Sequence, residues 1–248
     1  MQPTNDWLEL WRKERHKTKS PVNFEPYFAR ADIAGKRLDT LRLGNITVPS
    51  GSIVVCDPLY FLNRDAEEYF LPAPKGVFPV EAAVIQPDIY DCARFAAMRV
   101  IFSDMPPAYY EEALTGHEDL SGFEAGEFFG FNVESGLACI CDATTRDAAS
   151  DFITLWYNEH PNENIYDDYF AGLFVQSAID HPRYQREVGD WLSWRVPGTD
   201  LCMPLCQSGF GDGVYPVYFG FNEYDEVCQL VVHFIDMEMV FSSASNDD

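Results

Sequence analysis

The amino-acid sequence predicts an α+β fold of mostly antiparallel sheets, with a helical pair inserted mid-chain and an N-terminal helix. Strand-like apolar patterns with period two begin at Leu41 and return after residue 190, whereas apolar residues repeat at three and four residues in the segment between them. Strands at both ends of the body with a helical pair between them suggest a mostly antiparallel sheet packed by helices on one side. With 248 residues, 47% of them hydrophobic, the chain is expected to form a single domain over 1–248.

The first 40 residues are predicted to form a basic helical segment. Asp6 and Glu9 have the spacing of a capping box at a helix start. The basic residues from Arg12 to Lys19 are expected in the second half of this helix, where the helix dipole favours cations. The segment is expected to lie on the acidic body of the protein or on a partner.

The body is expected to span 41–241. Its first strands are predicted over 41–43, 45–48, 52–56, 76–86 and 93–102. Pro107 is expected to open a short helix over 108–114, and a hairpin is expected between 128–133 and 137–141.

The two central helices and the last strands follow from the same patterns. Thr144 or Thr145 is expected to cap the first helix, with Phe152, Leu155 and Trp156 on its apolar face. The second helix is predicted to begin near Ile165 and to stop at His181-Pro182. The last strands are predicted over 191–196, 201–206, 214–219 and 226–234, the final two as a hairpin, before a frayed acidic tail over 242–248.

Charge is the strongest compositional signal. The formal net charge is −23, yet nine basic and six acidic residues up to Leu43 give that part a net charge of +3, so the remainder carries −26. A field of this sign repels nucleic acid and anionic membranes and attracts basic protein surfaces. No apolar run reaches the roughly 20 residues that span a bilayer, and residues 1–20 lack the apolar region of a signal peptide. We therefore expect a cytoplasmic protein with a basic protein partner.

The seven cysteines are predicted to be reduced core residues. Their number is odd, and most lie within apolar runs. Cys139 and Cys141 share one face of a strand, which favours a core role over a zinc site. No cofactor and no metal site is expected.

Three aspartates at strand ends are the candidate binding or catalytic carboxylates. Asp57 precedes a proline, Asp142 follows a buried strand, and Asp212 lies between Gly211 and Gly213. If their strands are neighbours, they could converge on a divalent cation or act as acid and base. The alternative is ordinary turn chemistry, in which each carboxylate binds nearby backbone amides.

Nucleophilic catalysis and phosphate binding find less support. Five histidines are scattered, and only His233 lies in an apolar strand. Cys56 has no cation beside it in the sequence that would lower its pKa. The glycine-rich turn 208–213 has no lysine after it and leads into a strand, unlike a phosphate-binding loop, so a strand entry or a bulge is favoured.

Several short motifs together resemble one family. They are Val48-Pro49-Ser50-Gly51, Cys56-Asp57-Pro58-Leu59, Gly76-Val77-Phe78-Pro79-Val80, Ala96-Ala97-Met98-Arg99-Val100 and the stretch from Ser208 to Tyr218. Over 41–234 the chain resembles the bacterial domain-of-unknown-function family numbered 4241, with Gly-Asp-Gly-x-Tyr ending at Tyr215 as the most specific part. Glu134 stands where the family tends to have Asp. The resemblance implies a shared fold and a groove near Asp57, Asp142 and Asp212.

Three functions remain open. The first is an acidic binding protein, with an immunity protein against a bacterial toxin as one form, in which Trp156, Tyr157 or Tyr166 would supply binding hot spots. The second is a metal-assisted hydrolase that uses the three aspartates. The third is a small-ligand sensor with a pocket beside the glycine-rich turn.

Overall fold

The computed structural model describes residues 3–87 and 92–242. The helices are α1 (Asn5–Glu14), α2 (Ala143–Glu159), α3 (Ala171–Asp180) and α4 (Met237–Phe241), with a 3-10 turn at Glu25–Phe28 and a π-helical turn at Tyr166–Phe170. The strands are β1 (Asp32–Ile33), β2 (Lys36–Val48), β3 (Ile53–Cys56), β4 (Gly76–Ile85), β5 (Arg94–Ile101), β6 (Tyr109–Glu112), β7 (Phe131–Val133), β8 (Leu137–Asp142), β9 (Trp191–Arg195), β10 (Cys202–Gln207), β11 (Gly213–Tyr215), β12 (Val217–Phe221) and β13 (Val227–His233). The α+β class, the N-terminal helix and the central helical pair are confirmed.

Every strand pairing described is antiparallel. The larger sheet has seven strands in the order β1-β2-β4-β5-β13-β12-β6, and the smaller has four in the order β3-β8-β10-β9. A two-stranded ribbon of β11 and β7 lies beside them. The predicted hairpin of β12 and β13 is confirmed.

The two sheets and the helices form three layers. Ala138 and Ile140 on β8 belong to the core shared with the seven-stranded sheet, and the Cys206 thiol lies 3.7 Å from the Met98 sulfur across that interface. Cys139 and Cys141 lie on the opposite face of β8, in a second core beneath the helices. Because both faces of β8 are covered, all six of its residues are buried, and the predicted core role of these cysteines is confirmed.

The N-terminal segment lies on the body. Trp7 and Trp11 of α1 pack edge-on against Phe70, with ring centroids 5.1 and 5.0 Å apart. The Trp7 indole Nε1 also donates to the Glu118 carbonyl at 2.9 Å. Helix α1 ends at Glu14 rather than near Lys19, and its N-cap is Thr4, whose Oγ1 accepts from the Trp7 N–H, not Asp6.

Two predictions in the middle of the chain are wrong. Residues Tyr109–Glu112 form a strand, not a helix, because they complete the edge of the large sheet beside β12 and bury both of their glutamates. The segments around 128–133 and 137–141 form no hairpin with each other. Strand β7 pairs with β11, while β8 pairs with β3 and β10.

Smaller corrections concern caps and exposure. Asp142, rather than Thr144 or Thr145, caps α2 by accepting from the Thr144 N–H at 2.8 Å. Leu155 is 63% exposed instead of lying on the apolar face. Pro216 divides the strand expected at 214–219 into β11 and β12.

In the part of the chain that the structure describes, no helix is long and apolar enough to cross a bilayer. The acidic tail falls at 242–248, of which only Ser242 is among the described residues.

Candidate functional site

An open cleft of about 690 Å³ lies between the glycine-rich turn, the β7–β8 turn and the helical pair. We call it the cleft. Its walls are formed by Leu59–Tyr60, Glu134–Leu137, Asn164–Asp167, Gly209–Gly211 and the side chains of Arg94, Tyr157 and Arg186. Ligand pockets in proteins commonly have volumes of about 300–1,000 Å³, so the cleft has the size of a binding site.

Asp57 shapes one wall from behind. Its carboxylate is fully buried, and Oδ2 accepts from the Glu134 and Ser135 N–H groups at 2.9 and 2.7 Å. Oδ1 accepts from the Ser135 hydroxyl at 2.7 Å and from the Leu59 N–H at 2.9 Å. The two chain segments that carry Tyr60 and Glu134 into the cleft are therefore fixed to one carboxylate.

The glycine-rich turn forms the facing wall, and Tyr215 fixes its shape. The Tyr215 hydroxyl lies 2.6 Å from the Gly211 carbonyl oxygen and 3.1 Å from that of Ser208. Gly209 has φ +51°, and a Cβ there would come within 3.0 Å of Phe234, so the close approach requires glycine. The turn ends with Gly211, Asp212 and Gly213. Gly211 lines the cleft, whereas Asp212 and Gly213 are exposed and do not line it.

Asp142 lies elsewhere. It pairs with Ile53 at the start of β3, whereas Asp57 follows the other end of that strand. At about 3.3 Å a residue along β3, the two aspartates are separated by roughly 13 Å. The Asp142 Oδ2 accepts from the N–H groups of Ser50 and Gly51, both at 3.0 Å, and from the Ser50 hydroxyl at 2.7 Å. Of the predicted groove residues, Gly211 thus lines the cleft, Asp57 and Tyr215 hold its walls from behind, and Asp142 lies outside it.

The carboxylates do not assemble a metal centre among the described residues, which contain no group of three or more His, Cys, Asp or Glu able to hold an ion. The oxygens of Asp57 and Asp142 are already occupied by turn donors. His233 is a core residue: its Nε2 lies 3.0 Å from the Ile235 carbonyl, and burial lowers its pKa to about 4. Arg146 is a cation near Cys56 that the sequence did not indicate, but burial still raises the pKa of that thiol.

Charged and aromatic side chains converge in the cleft. The Arg186 guanidinium is held by buried Asp190, with Nη2 2.6 Å from Oδ1. Arg94 lies 5.6 Å from the centroid of the Phe210 ring. Glu134 and Asp167 are exposed, and neither makes an ion pair with a described residue. The cleft therefore holds two carboxylates available to a cationic ligand.

Aromatic rings form much of the rim. Tyr60, Tyr157 and Phe210 are 62%, 42% and 58% exposed. Tyr157 and Tyr166, two of the predicted contact residues, line the cleft. The third, Trp156, is only 8% exposed and lies in the core beneath the helices, so it cannot serve as an exposed contact. Tyr60, Arg94, Asp167, Arg186 and Phe210 were missed, because no local motif marks residues that only the fold brings together.

The structure is that of an α+β protein of two packed antiparallel sheets, with an open cleft beside the helical pair. The model of the family described as "Protein of unknown function (DUF4241)" matches residues 46–232, and the chain belongs to this family. No curated protein and no solved structure matches the chain.

Proposed function

We propose that the chain is a cytosolic binding protein and that the cleft receives a segment of a basic protein partner. The observation that carries the proposal is that exposed aromatic rings line the same cleft as carboxylates that have no ion partner among the described residues. Tyr60, Tyr157 and Phe210 offer large apolar contacts, and Glu134 and Asp167 lie beside them. Buried aromatic anchors commonly dominate binding energy, and charge complementarity speeds encounter.

The charge distribution supports a basic partner. After Leu43 the chain has eight lysines and arginines. Six of them are ion-paired to carboxylates in the described chain, namely Arg64, Arg99, Arg146, Arg183, Arg186 and Arg195. Most of these cations already pair with a carboxylate, and the acidic residues greatly outnumber them. The remaining carboxylates therefore have no cation to neutralise them, and their negative potential would attract a basic protein beyond contact distance.

The acidic loop beside the cleft adds to this field. Between Glu159 and Asp168 there are four carboxylates and no lysine or arginine. Asn164 to Asp167 of this loop line the cleft. An immunity protein that covers the cationic active site of a toxin is one function that such a surface fits.

The test is peptide selection on the protein itself. Random peptides displayed on phage would be selected on the wild-type protein alone, and the affinity of each selected peptide would then be measured for the wild type and for the Tyr157→Ala/Phe210→Ala double variant. We expect peptides that carry Lys or Arg next to an apolar residue, with affinities that fall as salt rises. Loss of both rings should weaken binding by tenfold or more, at about 2 kcal/mol for a hot-spot residue.

Tyr224→Ala is the matched control, because Tyr224 is 66% exposed and does not line the cleft. Selected peptides that are acidic or neutral would contradict a basic partner. Peptides that bind the double variant as well as the wild type would show that the cleft is not the binding site.

A small-ligand sensor is a second candidate, favoured by Arg94. This arginine faces the cleft beside the Phe210 ring and makes no ion pair with a described residue. A planar anion could stack on the aromatic ring and bind the guanidinium. A thermal-shift panel of nucleotides and metabolite anions, repeated with Arg94→Gln, would detect it, and the absence of any Arg94-dependent stabilisation would end this alternative.

A further inference from the structure

A second pocket lies on another part of the surface, where β2 crosses the end of α3 and strand β9. It has a volume of about 600 Å³. One wall is Leu41–Gly44, and the other is formed by His181–Arg183, Trp191 and Ser193. It shares no lining residue with the cleft. We call it the β2 pocket.

The backbone of β2 is irregular at this wall. The pairing of β2 with β4 shifts register between Arg42 and Gly44. Gly44 has φ +120°, and a Cβ there would lie 2.4 Å from the Ser193 hydroxyl oxygen. Bulges are enriched beside binding sites because they redirect the chain locally. This bulge lets β2 approach β9 closely and forms part of the Leu41–Gly44 wall of the β2 pocket.

The charge of the β2 pocket is opposite to that of the chain. Among the described residues, its lining contains Arg42, Arg183 and His181 and no aspartate or glutamate, although the chain carries −23. Arg42 makes no ion pair with a described residue, and its guanidinium donates to the Asn45 side-chain oxygen. Arg183 is shared with buried Asp39. The lining therefore includes one arginine, Arg42, whose guanidinium has no carboxylate partner in the described part of the chain.

Three carboxylates close to the lining are ion-paired. Besides Arg183, Asp39 binds Arg30 at 3.2 Å. Asp190, next to Trp191, holds Arg186. Glu81, opposite Arg42 on β4, binds Arg99 at 2.8 Å. These pairs neutralise three acidic groups near the β2 pocket, whereas Asp180, next to His181, is exposed and accepts from the Gln176 amide.

The indole of Trp191 supplies an independent observation. The residue is 95% buried, and its Nε1 has no hydrogen-bond acceptor among the described residues. A buried donor without an acceptor is unfavourable. The His181 ring stacks on this indole, with centroids 5.5 Å apart. The wall thus holds an aromatic surface, and the indole Nε1 lies buried behind it with no acceptor among the described residues.

We propose that the β2 pocket binds a small organic anion with an apolar body, of the aryl carboxylate class. The carboxylate lies between Arg42 and Arg183, where charge-assisted hydrogen bonds to guanidinium are strong. The aromatic body packs on the wall of Trp191 and Leu41. This site is independent of the binding function proposed for the cleft.

Indole resonances in ¹H–¹⁵N spectra provide the test, because the protein has five tryptophans and the Trp191 signal reports on the β2 pocket directly. Benzoate is the probe, with benzylamine and inorganic phosphate as comparisons. The Trp191 signal is assigned with Trp191→Phe or, should that variant not fold, by elimination with phenylalanine at the other four tryptophans. We expect benzoate to move this signal saturably and benzylamine to leave it in place.

Arg42→Gln should weaken benzoate binding about tenfold, as expected for a hydrogen bond to a charged group. Arg42 is exposed, so this variant should keep the wild-type spectrum elsewhere. Arg37→Gln, an exposed arginine on the same strand outside the β2 pocket, is the matched control and should bind as the wild type does.

Three outcomes would overturn the proposal: no saturable shift of the Trp191 signal, an equal shift with benzylamine, or unchanged affinity in Arg42→Gln. Inorganic phosphate that binds as tightly as benzoate would overturn the requirement for an apolar body.

Discussion

Asp57 and Asp142 lie at opposite ends of one antiparallel strand pair, β3 and β8, and each buried carboxylate binds a turn next to that pair. Asp57 accepts from donors of Leu59, Tyr60, Glu134 and Ser135. Asp142 accepts from Ser50, Gly51 and Thr144. Two aspartates that look alike in the sequence therefore have the same structural role, but only Asp57 supports the cleft.

The first prediction separates these two aspartates. Asp57→Asn and Asp142→Asn should each lower the free energy of unfolding by about 2–4 kcal/mol, because an amide NH₂ cannot accept from the buried donors. Urea denaturation measures this loss. Asp57→Asn should also abolish binding of the selected peptides, whereas Asp142→Asn should leave it intact at temperatures where the protein is folded. Equal peptide binding by both variants would contradict a supporting role for Asp57.

The sequence predicts this arrangement only in part. Turn residues beside buried strands identify both aspartates as strand-end groups, and turn chemistry was one of the two expected outcomes. Their separation depends on the antiparallel register of β3 and β8, which pairs Ile53 with Asp142, and no local pattern sets that register. The cleft likewise needs Arg94, Asp167 and Gly211, which lie far apart in the chain.

The wrong helix at 108–114 has a physical cause. Ala, Glu and Leu after Pro107 have helical propensity, and a first-turn proline is a helix-start signal. Pairing with β12 and burial of Tyr110 in the core outweigh that local preference. The result is a strand that buries two glutamates, Glu111 and Glu112, and both offer tests.

The second prediction concerns Glu112. This side chain is 2% exposed, Oε1 accepts from the Phe129 and Gly130 N–H groups, and Oε2 has no partner among the described residues. Burial raises its pKa from 4.5 to about 7. Between these values the folded state binds more protons than the unfolded state, so stability falls as pH rises from about 4.5 to about 7.

Glu112→Gln removes this titration. The pH dependence of the free energy of unfolding should flatten, with a gain on the order of 3 kcal/mol at pH 8 before any cost of the new amide. Urea denaturation at a series of pH values is the measurement. Glu159→Gln, at an exposed position on α2, should keep the wild-type slope. An unchanged slope in Glu112→Gln would show that another group titrates there.

The third prediction concerns the cysteines. The seven form no disulfide, and five are buried, whereas Cys92 and Cys202 are half-buried. Burial raises the pKa of the Cys206 thiol, and the pKa of Cys139 is also raised well above its usual range. Only thiolates react rapidly with alkylating reagents. Iodoacetamide should therefore modify Cys92 and Cys202 first and the other five only on unfolding, as mass spectrometry of digests would show. Rapid native modification of Cys56 would contradict this order and point to an opening near β3.

The last prediction tests how the N-terminal segment is fastened. Arg15 follows α1, and its Nη2 lies 2.7 Å from Oε2 of Glu111, whose side chain is 1% exposed. Arg15→Ala leaves a buried carboxylate without its cation and should cost about 2–3 kcal/mol, less than a fully buried pair because the Arg15 side chain is 38% exposed. Glu111→Gln should cost less, since the remaining Arg15 can turn to solvent.

In the double variant no buried charge is left, so the two losses should not add. A double-mutant cycle by urea denaturation measures the coupling, with Arg12→Ala on the exposed side of α1 as control. Additive losses would mean that the contacts of Trp7 and Trp11 with Phe70 hold α1 on the body without help from this ion pair.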